Sequence, residues 1–316
     1  MTNHIPVLFK EAISALNVKP NGTYVDLTLG RAGHSSEILK NLKDGKLIGF
    51  DKDQVAIEES TKRLNKIGSN FEVIWEDFRN FKEVLYKKHI SSVDGILMDL
   101  GVSSPQFDCA ERGFSYREDA KLDMRMDLRQ SLTAYDVVNT YSLRELTRVF
   151  REYGEDKYAY QVAKRIVNMR ETKPVTTTGE LVEIIKSVKP MKELAKKGHP
   201  AKQIFQALRI EVNDELGALK TAVKDALEIL SSGGRLVIIT FHSLEDRIVK
   251  NMFNEVAKIE GNRHTVFSLP SEDDLPKYRL VNNKVITATD IELANNPRSK
   301  SAKLRAIERV RLWKIS

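Results

Sequence analysis

"TYVDLTLGRAGHSSEIL", Thr23 to Leu39, decides the fold. It opens as a short apolar, strand-like run to Leu29, passes Gly30 and Gly33, and from Ser35 takes on a helical pattern. A strand that turns through glycines into a helix lets backbone approach a ligand closely, and the helix's first turn offers unpaired N–H groups. The unit then repeats. Strand-like runs recur at Lys46–Asp51, Phe71–Asp77 and Val93–Gly101, with helical patterns over Ser35–Leu42, Gln54–Ile67 and Phe81–Lys88 between them. Strands alternating with helices form right-handed βαβ units, so an α/β fold is expected, with a parallel sheet covered on both faces and its ligand site at the carboxyl edge.

Working outward, "VLFKEAISALNV" reads as a helix that ends before Pro20 and Gly22. After "SSPQFD" the texture changes. From Ala110 to about Val212 no buried strand is evident, and amphipathic helices and basic loops dominate; Ser142 and Glu145 stand at capping-box spacing. The α/β pattern resumes with the helix "NDELGALKTAVKDALEIL", stopped at Gly233 and Gly234, then the strand "RLVIITF" and a late strand in "KLRAIERVRLWKI". The expected organisation is a core in two parts, residues 1–106 and 213–316, around a helical insertion at 107–212. A chain of 316 residues is long enough for that division.

Composition narrows the function classes. No apolar run reaches the ~20 residues that cross a bilayer, and the N-terminus lacks a basic leader, so a cytoplasmic protein is expected. The single cysteine, Cys109, excludes an internal disulfide, and the six histidines are not clustered with it at zinc-ligand spacing, so no metal is expected. Lys and Arg number 51 against 44 Asp and Glu, a net charge of +7, which favours a polyanionic partner. The excess gathers in two stretches, "KSVKPMKELAKKGHPAK" (186–202) and 296–314, the latter carrying Arg298, Lys303 and Arg305. Either run alone is read as a solvated face; two in a nucleotide-binding chain point to nucleic acid.

The strand ends carry the candidate chemistry. Thr28 occupies the first glycine's place of the dinucleotide fingerprint, which weakens a pyrophosphate or nicotinamide reading. Asp26 and the pattern D-x-T-x-G-x-x-G instead resemble motif I of S-adenosylmethionine-dependent methyltransferases, whose cofactor is a cationic sulfonium. Asp51 ends the second strand where a carboxylate can accept from both ribose hydroxyls, and Asp53 suits the cap of the next helix. Asp77 and Phe78 follow the third strand, as an adenine acceptor and cover or as local structure and core. The fourth strand runs into "DLGVSSPQ", Asp99–Gln106, which looks like a divergent form of the (D/N/S)-P-P-(Y/F) turn of amino-methylating enzymes. Such a turn suits a nucleobase amine, a poor nucleophile whose lone pair is delocalised: acceptors on its N–H groups aim that lone pair at a methyl group. "TFHSLEDRIVK" puts His242 and Ser243 on the same edge, as proton shuttle or as local hydrogen bonds that begin a helix.

The segments "GRAGHS", "DLGVSSPQFD", "ITFHSLEDRIVK" and "NPRSKSAKLRAIER" together resemble the MraW family, the ribosomal RNA small-subunit methyltransferases H, along nearly the whole chain. The resemblance implies a Rossmann-like class I methyltransferase fold with a helical insertion, and methyl transfer from S-adenosylmethionine to the N4 amine of a cytidine in the decoding region of 16S ribosomal RNA. It places the cofactor on Ala32, Gly33, His34, Asp51, Phe78, Asp99 and Gln106. Asp99, Ser104 and the Pro105 carbonyl are the expected grip on the target amine. The insertion and the basic C-terminal stretch, with Arg298, Lys303 and Arg305, are the expected RNA contacts. The partner is 16S ribosomal RNA or the small ribosomal subunit; monomer and homodimer stay open. A DNA amino-methyltransferase and a noncatalytic RNA-binding assembly factor are the rival readings. The family often has glycine at Ala32; the alanine methyl makes positive φ costly, so a right-handed turn is expected there.

Overall fold

A computed structural model describes residues 6–101, 109–258 and 276–310. The chain divides into two compact units, Met1–Gly101 with Ala218–Ser316, and Val102–Gly217. The insertion expected at 107–212 thus corresponds to a unit whose limits lie a few residues further out on each side.

In the first unit the strands are β1 (Thr23–Asp26), β2 (Lys46–Asp51), β3 (Phe71–Trp75), β4 (Val93–Asp99), β5 (Leu230–Thr240), β6 (Tyr278–Leu280), β7 (Ile286–Thr287) and β8 (Lys303–Arg309). They join one sheet of order β3-β2-β1-β4-β5-β8-β6, with β7 paired to β8. Strands β1 to β5 run parallel, whereas β8 is antiparallel to β5 and to β6. This is a doubly wound sheet whose order reverses between β1 and β4, with a reversed strand inserted near one edge; the crevice at that reversal is where open α/β folds bind ligands.

Alternation along the strands builds two apolar layers. Val25, Ile48, Ile96, Met98, Leu236 and Ile238 share one cluster. Their neighbours Tyr24, Leu47, Leu97, Val237 and Ile239 share the other. The helices α1 (Phe9–Leu16), α2 (Gly33–Asn41) and α3 (Gln54–Leu64) supply Leu16, Ile38 and Leu64 to the second layer. Helix α4 (Phe81–Lys87) brings Phe81 and Leu85 to the first.

The second unit contains α5 (Ala134–Thr140), α6 (Leu143–Glu152), α7 (Ala159–Arg170), α8 (Thr178–Val188), α9 (Met191–Leu194) and α10 (Lys202–Asn213). Its own core joins Phe114, Val137, Phe150, Ile166, Leu181 and Leu208. Capping boxes start α5, α6 and α8; the one at Ser142 and Glu145 is that expected from the sequence. Helix α11 (Glu215–Ile229) leads back to the sheet, and α12 (Ser243–Val256) and α13 (Asp290–Asn295) complete the helices among the described residues.

Two expectations need correction. The helix before β5 ends at Ile229, not at Gly233, because β5 already begins at Leu230. Gly233 and Gly234 lie in a bulge: the register against β4 jumps from Val93↔Leu230 to Gly95↔Arg235. The late strand is confirmed to Arg309; its expected continuation through Leu312 and Ile315 lies outside the described residues.

Candidate active site

The carboxyl ends of β1, β2 and β4 are joined by a small set of side chain to backbone bonds. Asp26, buried at the end of β1, accepts from the Thr28 N–H at 3.1 Å and from Ser35 Oγ at 2.6 Å, which ties the glycine turn to the first turn of α2. Burial pushes its carboxyl up to about 6 against the pull of those bonds. Thr28 Oγ1 in turn accepts the Asp99 N–H at 2.6 Å. That bond explains a threonine where a dinucleotide site has glycine: the hydroxyl clasps β4 to the β1 turn. Asp51 Oδ2 accepts the Gly30 N–H at 2.8 Å and Oδ1 the Asp53 N–H at 2.9 Å, and burial raises this carboxyl also to about 6. Asp53 caps α3 through Val55 N–H, as expected.

The turn contradicts the expectation at Ala32. Its φ is 54°, in the left-handed region, and not right-handed. Local sterics disfavour this, but the residue is fully buried, its N–H donates to Leu29 O at 2.7 Å, and its carbonyl accepts the Ser36 N–H at 3.0 Å and Ser36 Oγ at 2.5 Å. Those contacts fix the backbone and outweigh a strain of about 1–2 kcal/mol. Gly33 is required for a different reason: a Cβ there would lie 2.4 Å from Pro6 Cγ.

Among the described residues no side chain caps α2, which leaves its first-turn N–H groups as candidate donors. The His34 ring is buried, with Nε2 3.1 Å from Val7 O and Nδ1 3.7 Å from Asp99 Oδ2. Burial lowers its basicity to about 4, so it is neutral at physiological pH, the proton on Nε2 donating to Val7. Asp99 is the most perturbed group. Burial, then the negative charges of Asp26 and Glu245, raise its carboxyl well above the usual range. Its Oδ1 is buried without a hydrogen-bond partner among the described residues, although the side chain as a whole is 24 % exposed. A buried carboxylate oxygen at the carboxyl edge of the sheet is chemically suited to accept from a donor or to face a cation.

His242 sits beyond β5 and caps α12: its Nδ1 accepts the Glu245 N–H at 3.4 Å, while Glu245 Oε2 accepts the N–H groups of Phe241 and His242. The ring's Nδ1 is thus engaged at the start of α12. The local-structure reading of His242 therefore holds. Glu245, which the sequence reasoning passed over, was signalled by its place three residues after the cap. Asp77 is likewise a cap, accepting Arg79 N–H at 2.9 Å with Lys52 Nζ 3.6 Å away, and Phe78 is half-buried against the core layer under α4. Ser104, Pro105 and Gln106 lie outside the described residues.

The basic C-terminal residues are less available than their sequence suggests. Arg305 Nε donates to Asp246 Oδ1 at 2.7 Å, and Lys303 Nζ stands 3.2 Å from Asp246 Oδ2, joining β8 to α12. Arg298 is exposed on the 3-10 turn Pro297–Ser301.

Comparison with known proteins matches the sequence to a family. The model of the MraW methylase family matches residues 1–310. A ribosomal RNA small subunit methyltransferase H from Streptococcus mutans serotype c is 52% identical over 317 residues, covering 98% of this chain and 100% of the relative. One from Streptococcus dysgalactiae subsp. equisimilis is 50% identical, covering 98% of both. Among solved structures, a putative methyltransferase from Streptococcus mutans in complex with SAH aligns over 97% of this chain and 100% of its own at 13% identity, with a TM-score of 0.42.

Proposed function

Since the chain belongs to the S-adenosylmethionine-dependent MraW methylase family, we propose that it transfers a methyl group to the exocyclic N4 amine of one cytidine in the decoding region of bacterial 16S ribosomal RNA, working in the cytoplasm. The observation that carries the reading is Asp99, a carboxylate at the sheet's switch point with one buried oxygen that has no partner among the described residues. It fits both a cationic cofactor and a nucleobase N–H.

The bound cofactor supplies an electrophilic methyl group on a positively charged sulfur. The backbone donors of Gly33 and His34, the Asp51 carboxylate and the Phe78 ring are the groups that would hold it, with Ala32 shaping the turn and Gln106 added from the family resemblance. The acidic set of Asp26, Asp51 and Asp99 suits its positive charge, and a cation among them would stabilise carboxylates that burial alone disfavours. Asp99, Ser104 and the Pro105 carbonyl would grip the amine and turn its lone pair toward the methyl carbon, and alignment is the main catalytic contribution. A nitrogen that gains a methyl must release a proton. Asp99 is a stronger proton acceptor than an ordinary carboxylate because of its burial and its acidic neighbours.

The helical unit, with the basic C-terminal segment, would hold the RNA backbone through phosphate contacts, giving salt-sensitive binding. Arg298 is exposed on its 3-10 turn, and Lys303 and Arg305 pair with Asp246. No observation favours the DNA or noncatalytic alternatives. Mass mapping of 16S ribosomal RNA from cells lacking the protein, and from cells in which it is restored, tests the proposal. One cytidine should lose and regain a single methyl; an unchanged methylation pattern refutes it.

A further inference from the structure

We infer that the stacked pair His199 and Tyr116, in the helical unit, is a platform for one unpaired nucleobase of the RNA substrate; the inference rests on the ribosomal RNA reading above. The two rings stack with centroids 4.3 Å apart and planes 16° from parallel. Behind them Tyr116 meets Phe205 edge to face at 5.7 Å, and Phe205 is part of the unit's apolar core, so the platform is anchored from below. The loop that carries His199 is fixed as well. Lys189 and Asp156 form a buried ion pair at 2.5 Å, and the same ammonium donates to Pro200 O at 2.8 Å. Ala201 N–H donates to His199 Nδ1 at 3.2 Å, which orients the ring.

The platform's chemistry suits a base and not a phosphate. Burial, followed by the charges of Lys186 and Arg117, lowers the basicity of His199, so the ring is a neutral π surface with a proton on Nε2. Both rings are part-exposed, and the neighbouring Gly198 has open space around it: a Cβ there would meet no atom within 4 Å. Arg117 beside the rings supplies positive potential that attracts a polyanion, and Lys186 adds to it from an exposed pair with Glu183 at 2.8 Å, while Asp119 is engaged with Gly179 N–H at 2.8 Å. Aromatic faces flanked by cations are how proteins hold single strands, and a duplex offers no free base face. The occupant is therefore a looped or unpaired stretch of RNA.

The test uses the full chain and a labelled single-stranded fragment of 16S ribosomal RNA, with affinity measured across a range of salt concentrations. His199→Ala should weaken binding by about 5- to 150-fold, the worth of one base–aromatic stack, without changing the slope of log affinity against log salt. His199→Phe should restore most of the affinity. The double change Arg117→Ala with Lys186→Ala should show the opposite signature, a shallower slope. S-adenosylmethionine affinity and the melting temperature serve as controls and should not move. Unchanged affinity in His199→Ala, failure of the phenylalanine to rescue, or a loss that comes with a changed salt slope overturns the platform while leaving the methylation reading intact. A wild-type chain that binds no RNA but captures a protein or an anionic vesicle through this surface overturns both.

Discussion

Asp26→Asn should make the protein more stable at neutral pH, although the aspartate holds the glycine turn together. The side chain is 2% exposed and its carboxyl stands at about 6, against an ordinary value of 3.8. The difference between those two values is worth roughly 3 kcal/mol. The native state binds this proton more tightly than the unfolded chain does. Its contribution to stability is therefore full below the unfolded value and is lost as pH rises through about 6, leaving a charged group buried at neutral pH. Asparagine keeps the shape and removes the charge: its carbonyl accepts the Thr28 N–H, and its amide donates to Ser35 Oγ, which also serves as an acceptor. The variant and the wild type should thus be equally stable near pH 4 and diverge by up to about 3 kcal/mol near pH 8. Urea unfolding at a series of pH values measures this directly. Because the Asp26 charge also raises Asp99, the substitution should lower the pH at which methyl transfer sets in. Parallel stability profiles for the two proteins would refute the assignment of a buried, charged Asp26.

Asp99→Ala should cut methyl transfer by at least about 100-fold, in the range seen when one group stabilising a transition state is removed. Thermal stability should hold, because the buried oxygen has no partner to lose among the described residues; near-normal turnover would remove Asp99 from the chemistry. Asp246→Ala addresses the basic segment. Burial pushes that carboxyl up, yet Arg305 and Lys303 more than offset it and hold it below the usual range. Removing it should cost about 1–3 kcal/mol, between the values for exposed and buried pairs, and leave RNA affinity unchanged. Tighter RNA binding by this variant would instead show that Lys303 and Arg305, once released, contact phosphate.

What the sequence made legible was local, and what it hid was set by distant parts of the chain. The bounds Lys46–Asp51 for β2 follow from composition alone, and the caps at Asp53, Ser142 and His242 follow from spacing, because each depends on residues within one turn. The place of β8 between β5 and β6 is not local: the run from Lys303 reads as a strand, but nothing within it specifies which strands flank it or in which direction. Gly233 and Gly234 misled for a related reason. Two glycines after a helical pattern signal a stop, and only pairing with β4, more than a hundred residues earlier, turns them into a bulge. Ala32 is the sharpest case. A rule about one residue's sterics predicts negative φ, yet Leu29, Ser36 and burial in the core together hold φ positive. The same non-local logic separates the two basic runs. Counting lysines and arginines makes Lys189, Lys303 and Arg305 look like phosphate ligands, and the fold gives each of them a carboxylate. Charge in sequence measures what a chain offers to a polyanion only after the internal partners are subtracted, and that subtraction needs the tertiary structure.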